Sequence, residues 1–262
     1  MLAIVLVIVA ILVGIISAMV GLGGGFLVVP ILVLFFHVET HQAVGTSIVM
    51  VLFTALSATL AYARQRRVDY KVGLILAVGT VPGALAGAYM TTLISGKFLE
   101  ALFGAFLLFI ATQMIRKYKG SAGSNAGLHR MIVDAKGTSF EYTARTFPGV
   151  FLSFLGGFVS GFFGVGGGAV MVPLMVLVVG IPIHIAVATS MFIMCFTSLS
   201  GAATHLTLGN IIPEYALYLS LGIIFGTQIG AAVARRLKSQ LLQRAFAASL
   251  MIVGIRMILG IL

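Results

Sequence analysis

The sequence predicts an all-α polytopic membrane protein made of two inverted-topology repeats, each of about five membrane segments and each opening on a glycine-broken helical hairpin. Three observations carry that expectation. The 262 residues are 60% hydrophobic and 8% charged, with mean hydropathy +1.18, and the apolar runs are longer than a soluble core of this size uses. Gly21-Leu22-Gly23-Gly24-Gly25, followed by Pro30, returns 143 residues later as Gly164-Val165-Gly166-Gly167-Gly168, followed by Pro173. Finally, basic loops of one half align with loops of the other half that lack Lys and Arg.

Residues 2–36 are one apolar stretch broken only by the first glycine run, with no basic segment ahead of it. It therefore reads as membrane-embedded and not as a cleaved signal. Two full crossings need roughly 40 residues at 1.5 Å rise across about 30 Å of hydrocarbon. The pair is too short for that, so it is either a hairpin with one stunted arm or a re-entrant pair. Each glycine weakens a helix by about 1 kcal/mol relative to alanine, so four in five positions mark a backbone break. A polar interval, His37–Gln42, follows.

Spans are expected at about 43–63, 72–95 and 98–115, then a polar linker over 116–145 with a little local structure around Ser139–Ala144. The second half repeats the order: an apolar pair over 147–179, then spans near 186–208, 215–234 and 241–261. The domain organisation is thus a first transmembrane repeat (1–115), a cytoplasmic linker (116–145) and a second, inverted repeat (146–262). Between 17–47 and 160–190, 14 of 31 aligned positions are identical without a gap, where biased composition gives roughly three. Thr54/Thr197, Ser57/Ser200, Gly83/Gly226 and Gly87/Gly230 keep the same offset, which marks an internal duplication.

Charge sets the orientation. All 16 Lys and Arg except Lys97 and Arg256 fall in three clusters, 64–71, 116–145 and 235–244, as the positive-inside rule places cytoplasmic loops. This distribution accounts for the formal charge of +10 without nucleic acid. The basic loop Arg64–Lys71 aligns with Gly209–Glu214, which has no Lys or Arg, and the turn at Lys97 aligns with Arg235–Lys238. A cytoplasmic loop in one half thus corresponds to an external loop in the other, which inverts the repeats and places both termini outside.

Inverted repeats with interrupted helices are a transporter signature, and a helix start inside the membrane offers N–H groups and the positive end of a dipole to an anion. The candidate substrate-binding residues are Gly23, Gly24, Gly25, Thr46 and Ser47, with Gly166, Gly167, Gly168, Thr189 and Ser190 in the second copy. The hydroxyls either bind anion oxygens or bond back to their own helices. His41, His184 and Arg256 are accessory candidates; the histidines otherwise read as interfacial, and Arg256 as a snorkelling cation. Thr54, Ser57, Thr197 and Ser200 lie on one face of their spans and either line a cavity or let helices approach. The pairs Gly83/Gly87 and Gly226/Gly230 read as helix packing, with a homodimer contact as the alternative, and Gln113 and Gln228 as interhelical hydrogen-bonding amides.

With Gly-x-Gly-Gly-Gly and a following proline in each half, and Thr46-Ser47 and Thr189-Ser190 after them, the chain resembles the sulfite exporter TauE/SafE family over nearly its whole length outside the linker. The resemblance implies movement of sulfite, organosulfonates or related small anions across the bacterial cytoplasmic membrane, mainly outward. One departure is visible: Gly45 precedes the first hydroxyl pair, whereas Ala188 precedes the second.

Other classes find little footing. HExxH and GxSxG are absent and the histidines are scattered at 37, 41, 129, 184 and 205, so no enzyme is expected. The lone Cys195 excludes an intrachain disulfide and a multi-cysteine metal site, and no cofactor motif stands out. Gly164–Ala169 formally fits GxGxxA, but it sits in a membrane-length apolar run. An anion channel and a structural or assembly membrane protein are the remaining alternatives. All six acids, Glu39, Asp69, Glu100, Asp134, Glu141 and Glu214, lie in loops or at span ends, so no carboxylate is placed for a proton relay.

Overall fold

The computed structural model describes residues 2–115 and 127–233, with 251, 254–255 and 257–259 beyond them. Arg256, the side chain of Gln113, most of the linker before Gly127 and most of the span expected at 241–261 lie outside the described residues. In chain order the helices are α1 (Leu2–Val20), α2 (Gly25–Phe36), α3 (Thr40–Arg64), α4 (Tyr70–Met90, continued by a tight turn to Leu93) and α5 (Gly96–Ile115). A hairpin of β1 (Leu128–Val133) and β2 (Ser139–Ala144) follows. The second half holds α6 (Thr146–Phe163), α7 (Gly168–Val179, its last five residues a π turn), α8 (Ile183–Thr207) and α9 (Pro213–Val233). Among the described residues six helices are long and apolar enough to cross a membrane: α1, α3, α4, α6, α8 and α9.

The helices begin two to three residues earlier than hydropathy suggests. Thr40, His41 and Gln42 form the first turn of α3, leaving only residues 37–39 as a connector. Polar side chains are welcome on a first turn, so a hydropathy reading trims that turn into the loop. The duplication extends to the backbone. α3 and α8, like α4 and α9, have bounds 143 residues apart. The left-handed residues recur at the same offset: Gly21/Gly164, Gly23/Gly166, Gly24/Gly167, His37/Gly180 and Arg66/Gly209.

Glycine ladders fix how the halves pack. A Cβ on Gly79, Gly83 or Gly87 of α4 would overlap the backbone carbonyl of Val150, Phe154 or Phe158 of α6. In the equivalent contact, Gly222, Gly226 and Gly230 of α9 lie against Val7, Ile11 and Ile15 of α1 in the same way. The numbers rise together on both partners, so each pair runs parallel. These glycines are covered within one chain, which is the use their four-residue spacing predicts. The outer faces keep Leu74, Val78, Leu85, Phe151, Leu155, Phe225 and Ile229 exposed, an apolar girdle suited to lipid.

The linker carries more structure than its composition suggests. β1 and β2 pair antiparallel in register from Leu128–Ala144 to Val133–Ser139, and Asp134 closes the turn by accepting from the Lys136 and Thr138 N–H groups. The hairpin packs Ile132, Tyr142 and Ala144 into a core with Val72, Leu76, Met175, Val179 and Ile181. Fully buried Asp69, the N-cap of α4, accepts from Arg130 at 2.8 and 2.9 Å, from the Tyr142 hydroxyl at 2.7 Å and from the Val72 N–H at 3.1 Å. Arg67 pairs with Asp134 at 3.0 Å. The β-hairpin is thereby fastened to the α3–α4 loop.

Two outcomes follow. Gly83→Ala should cost about 2–3 kcal/mol in denaturant unfolding, because its Cβ meets the Phe154 carbonyl, whereas Gly96→Ala, with only ordinary contacts beyond 3.4 Å, should stay within about 0.5 kcal/mol. For Asp69, burial pushes the carboxyl up, but the hydrogen bonds from Arg130, Tyr142 and Val72 outweigh it and hold the acid below the usual carboxylate range. With the folded value the lower one, the stabilisation is present above the unfolded value of about 3.9 and is lost as pH falls through the folded value. Amide exchange over 128–144, corrected for intrinsic rates, should be flat from about pH 7 to 5 and rise below about pH 4. Asp69→Asn should weaken docking by about 2–4 kcal/mol and shrink the acid step to the part that Asp134, paired with Arg67, still supplies.

Candidate functional site

Each glycine turn is built from the same parts. α1 ends as the Gly21 N–H bonds the Ser17 carbonyl with Gly21 at φ +82°; Gly23 and Gly24 follow at +86° and +87°, and Gly24 caps α2. In the second copy the Gly164 N–H bonds the Ser160 carbonyl, and Gly164, Gly166 and Gly167 lie at +67°, +82° and +74°. A residue with a Cβ costs about 1–2 kcal/mol at each such position. The fourth glycine of each run has another reason. A Cβ on Gly25 would overlap the Gly164 carbonyl oxygen, and one on Gly168 would overlap that of Gly21. The two turns therefore meet backbone to backbone.

All ten residues of the two turns are buried. A Cβ on Gly23 would touch Val51 and Met194, and one on Gly166 would touch the same two side chains. Val51 and Met194 are each the twelfth residue of their 25-residue helices. The turns thus lie near the middle of α3 and α8, with apolar side chains between them. At 1.5 Å per residue α1 runs about 28 Å and α2 about 18 Å, a long arm and a stunted one.

The hydroxyl pairs hold this meeting in place. Ser47 donates to its own helix at Val44 O (2.8 Å) and is 2.9 Å from the Gly164 carbonyl oxygen. Ser190 donates to Val187 O at 2.8 Å and reaches Gly21 O at a looser 3.5 Å. Thr46 accepts from the Ile212 N–H and Thr189 from the Asp69 N–H, both at 3.0 Å. The start of α3 is thereby tied to the loop after α8, and the start of α8 to the loop after α3, so these two helices run antiparallel. Gly45 departs from Ala188 because its Cβ would overlap the Asn210 carbonyl, again a matter of close approach.

The remaining candidates divide. His41 Nε2 lies 3.1 and 3.0 Å from the Thr91 and Ile94 carbonyl oxygens, fastening the end of α4, whereas the His184 ring faces Phe140 of the hairpin at 6.4 Å. The repeated histidines thus have unlike surroundings. Ser57 donates to Ile224 O and Ser200 to Val81 O, while Gln228 donates to the Ser57 carbonyl and hydroxyl. Thr197 donates to the Thr80 hydroxyl, and Thr54 bonds its own helix at Met50 O. All of these groups except Thr54 strap helices together. Among the described residues no group of three His, Cys, Asp or Glu could hold a metal.

Sequence reasoning passed over one repeated pair, Ser17 and Ser160. Both are fully buried, neither hydroxyl has a hydrogen-bond partner among the described residues, and both lie against a turn. A Cβ on Gly24 would be 3.3 Å from Ser17 Oγ, and one on Gly167 would be 3.2 Å from Ser160 Cβ. The signal was present, since both positions open the identical window, but a serine within a helix is commonplace without the burial that singles it out.

Comparison with known proteins agrees with this architecture. The family model described as Sulfite exporter TauE/SafE matches residues 6–257. The probable membrane transporter protein YunE of Bacillus subtilis is 36% identical over 97% of both chains, and a probable membrane transporter protein of Methanocaldococcus jannaschii is 26% identical over 97% of this chain and 94% of its own. A sulfite exporter TauE/SafE family protein of Arabidopsis thaliana is 30% identical over 40% of this chain and 24% of its own. No solved structure matches. With its paired glycine turns and a match over nearly its full length, the chain belongs to the TauE/SafE family of membrane transporter proteins.

Proposed function

We propose that this protein exports small sulfur-containing oxyanions, sulfite or organosulfonates such as sulfoacetate, across the cytoplasmic membrane by alternating access. The observation that carries the reading is the meeting of two equivalent glycine turns near the middle of α3 and α8. Two helix starts aimed into that region bring the positive ends of their dipoles into an apolar interior, which favours an anion there.

Inverted repeats give such a centre two equivalent ways to open. Their support is directional. α3 and its counterpart α8 run antiparallel, tied end to opposite end through Thr46–Ile212 and Thr189–Asp69. α1 runs parallel to α9, and α6 to α4, as expected when corresponding helices of the two halves point opposite ways. In this reading the basic loop Arg64–Lys71 and the β-hairpin fastened to it are cytoplasmic, and both termini are external.

Of the six acids, Asp69 and Asp134 are buried but already engaged by Arg130 and Arg67 outside the long apolar helices, Glu141 lies on β2, and Glu39, Glu100 and Glu214 lie in a connector or near helix starts, so no carboxylate stands free in the interior of a long apolar helix for coupling to protons. An interior-negative potential favours outward anion movement by about 2.3 kcal/mol per charge per 100 mV. Potential-assisted export, uniport or exchange therefore fits these residues better than proton-driven uptake.

Sulfite efflux from proteoliposomes is the direct measurement. It should saturate with sulfite, accelerate when the inside is made negative, and fall at least tenfold in Gly24→Leu and Gly167→Leu proteins that still insert. Flux that ignores the imposed potential and follows a proton gradient would reverse the coupling assignment, and non-saturating flux would identify a channel.

A further inference from the structure

The buried hydroxyls of this protein follow a pattern with a repeated exception. Inside helices a serine or threonine ordinarily bonds back to a carbonyl three or four residues earlier. Thr54, Thr80, Ser153, Thr197, Ser198 and Thr227 do so here, and Ser47 and Ser190 do so while also reaching the opposite turn. Thr46 and Thr189 instead accept from the Ile212 and Asp69 N–H groups, whereas Ser17 and Ser160, both 0% exposed, have no partner among the described residues. A buried hydroxyl without a partner costs about 1–3 kcal/mol, and this cost occurs twice, at positions related by the 143-residue offset. A third unpartnered hydroxyl, Ser220, has Ala77 at the equivalent position and no such twin.

Both exceptions lie beside the capping glycine of a 12-residue helix, Gly24 before α2 and Gly167 before α7. Ser17 Oγ is 3.3 Å from where a Gly24 Cβ would stand, and that point also meets Val13 and the tip of Met50. In the second copy the residue equivalent to Val13 is Gly156, whose face is occupied by Met171. Ser17 thus shares its surroundings with the start of α2 and the tip of Met50, a flexible side chain able to move aside, and the Cβ of Ser160 lies against the glycine that caps α7. The gap between the turns, by contrast, holds Val51 and Met194.

We propose that Ser17 and Ser160 are direct anion ligands, each donating its hydroxyl hydrogen to an oxygen of a sulfite- or sulfonate-type group held at the start of α2 or α7. The substrate thus has two equivalent half-sites, one behind each glycine turn. This assignment rests on the transport reading above. It adds that recognition depends on a hydroxyl donor, so the ligand needs at least one exposed acceptor oxygen, and that the hydroxyls lack protein partners because their partner is the substrate.

The test is calorimetric titration of the purified full chain with sulfite and with methanesulfonate, together with unfolding of the ligand-free protein. The comparison covers wild type, Ser17→Ala, Ser160→Ala, the double variant and Ser220→Ala. The expected result is about a tenfold loss of sulfite affinity in each single variant, about 1.4 kcal/mol, a larger loss in the double variant and none in Ser220→Ala. The ligand-free unfolding midpoint should be unchanged or raised in both single variants, since an unpaired hydroxyl has been removed. Wild-type affinity in the double variant would overturn the assignment. So would a lowered ligand-free midpoint or failure of the double variant to fold, because either shows a structural role. If wild type binds neither anion, the sulfur-anion transport reading falls and this assignment falls with it.

Discussion

The structure depends on two segments of the backbone touching where each has stopped being a helix. A broken helix in an apolar interior exposes carbonyl and N–H groups that water would otherwise satisfy. Here Gly25 lies on Gly164 and Gly168 on Gly21, so close that no side chain fits, and Ser47 and Ser190 hydroxyls reach across to the carbonyls. The pattern Gly-x-Gly-Gly-Gly follows from this: three glycines turn the chain through left-handed conformations and the fourth lets the opposite turn approach. Only the second position, Leu22 or Val165, carries a side chain.

The rest of the molecule positions that contact. The glycine ladders of α4 on α6 and α9 on α1 bring a helix of one half flush against a helix of the other, so the halves share interfaces and do not sit apart as separate bundles. Thr46 and Thr189 pin the beginnings of α3 and α8 to the loop after the other's end. Any change of shape in the middle must therefore pass through these cross-half ties. Symmetry is broken on one side only: the β-hairpin clamps Asp69 and Arg67, and among the described residues the equivalent loop at 210–212 has no such cover. An added element on one of two related loops gives those loops unequal numbers of tertiary contacts to break.

Much of the site was legible beforehand because it is repeated. Two glycine runs, two prolines and two hydroxyl pairs at one offset are visible in a string of letters, and so is the swap of basic loops. What each hydroxyl does was not. Ser47 and Ser190 reach carbonyls 117 and 169 residues away, and a sequence does not show which of two hydroxyls is bonded and which is left without a partner. Ser17 and Ser160 look no different from Ser57 or Ser200 until their surroundings are seen. His41 and His184 mislead in the opposite sense, since equal positions in a duplication receive unequal neighbours, a pair of carbonyls for one and the hairpin's Phe140 for the other.

The sequence alone determined the solvent in which this protein folds, the number of its halves and the place where each breaks, because hydropathy, repetition and glycine's backbone freedom are local properties. Tertiary structure decided which backbone meets which. The fit of Gly83 against Phe154, the burial of Asp69 under Arg130 and Tyr142, and the two serines without a partner beside the turns arise from chain segments tens to more than a hundred residues apart. Their energies depend on distances of closest approach that only the packed molecule sets.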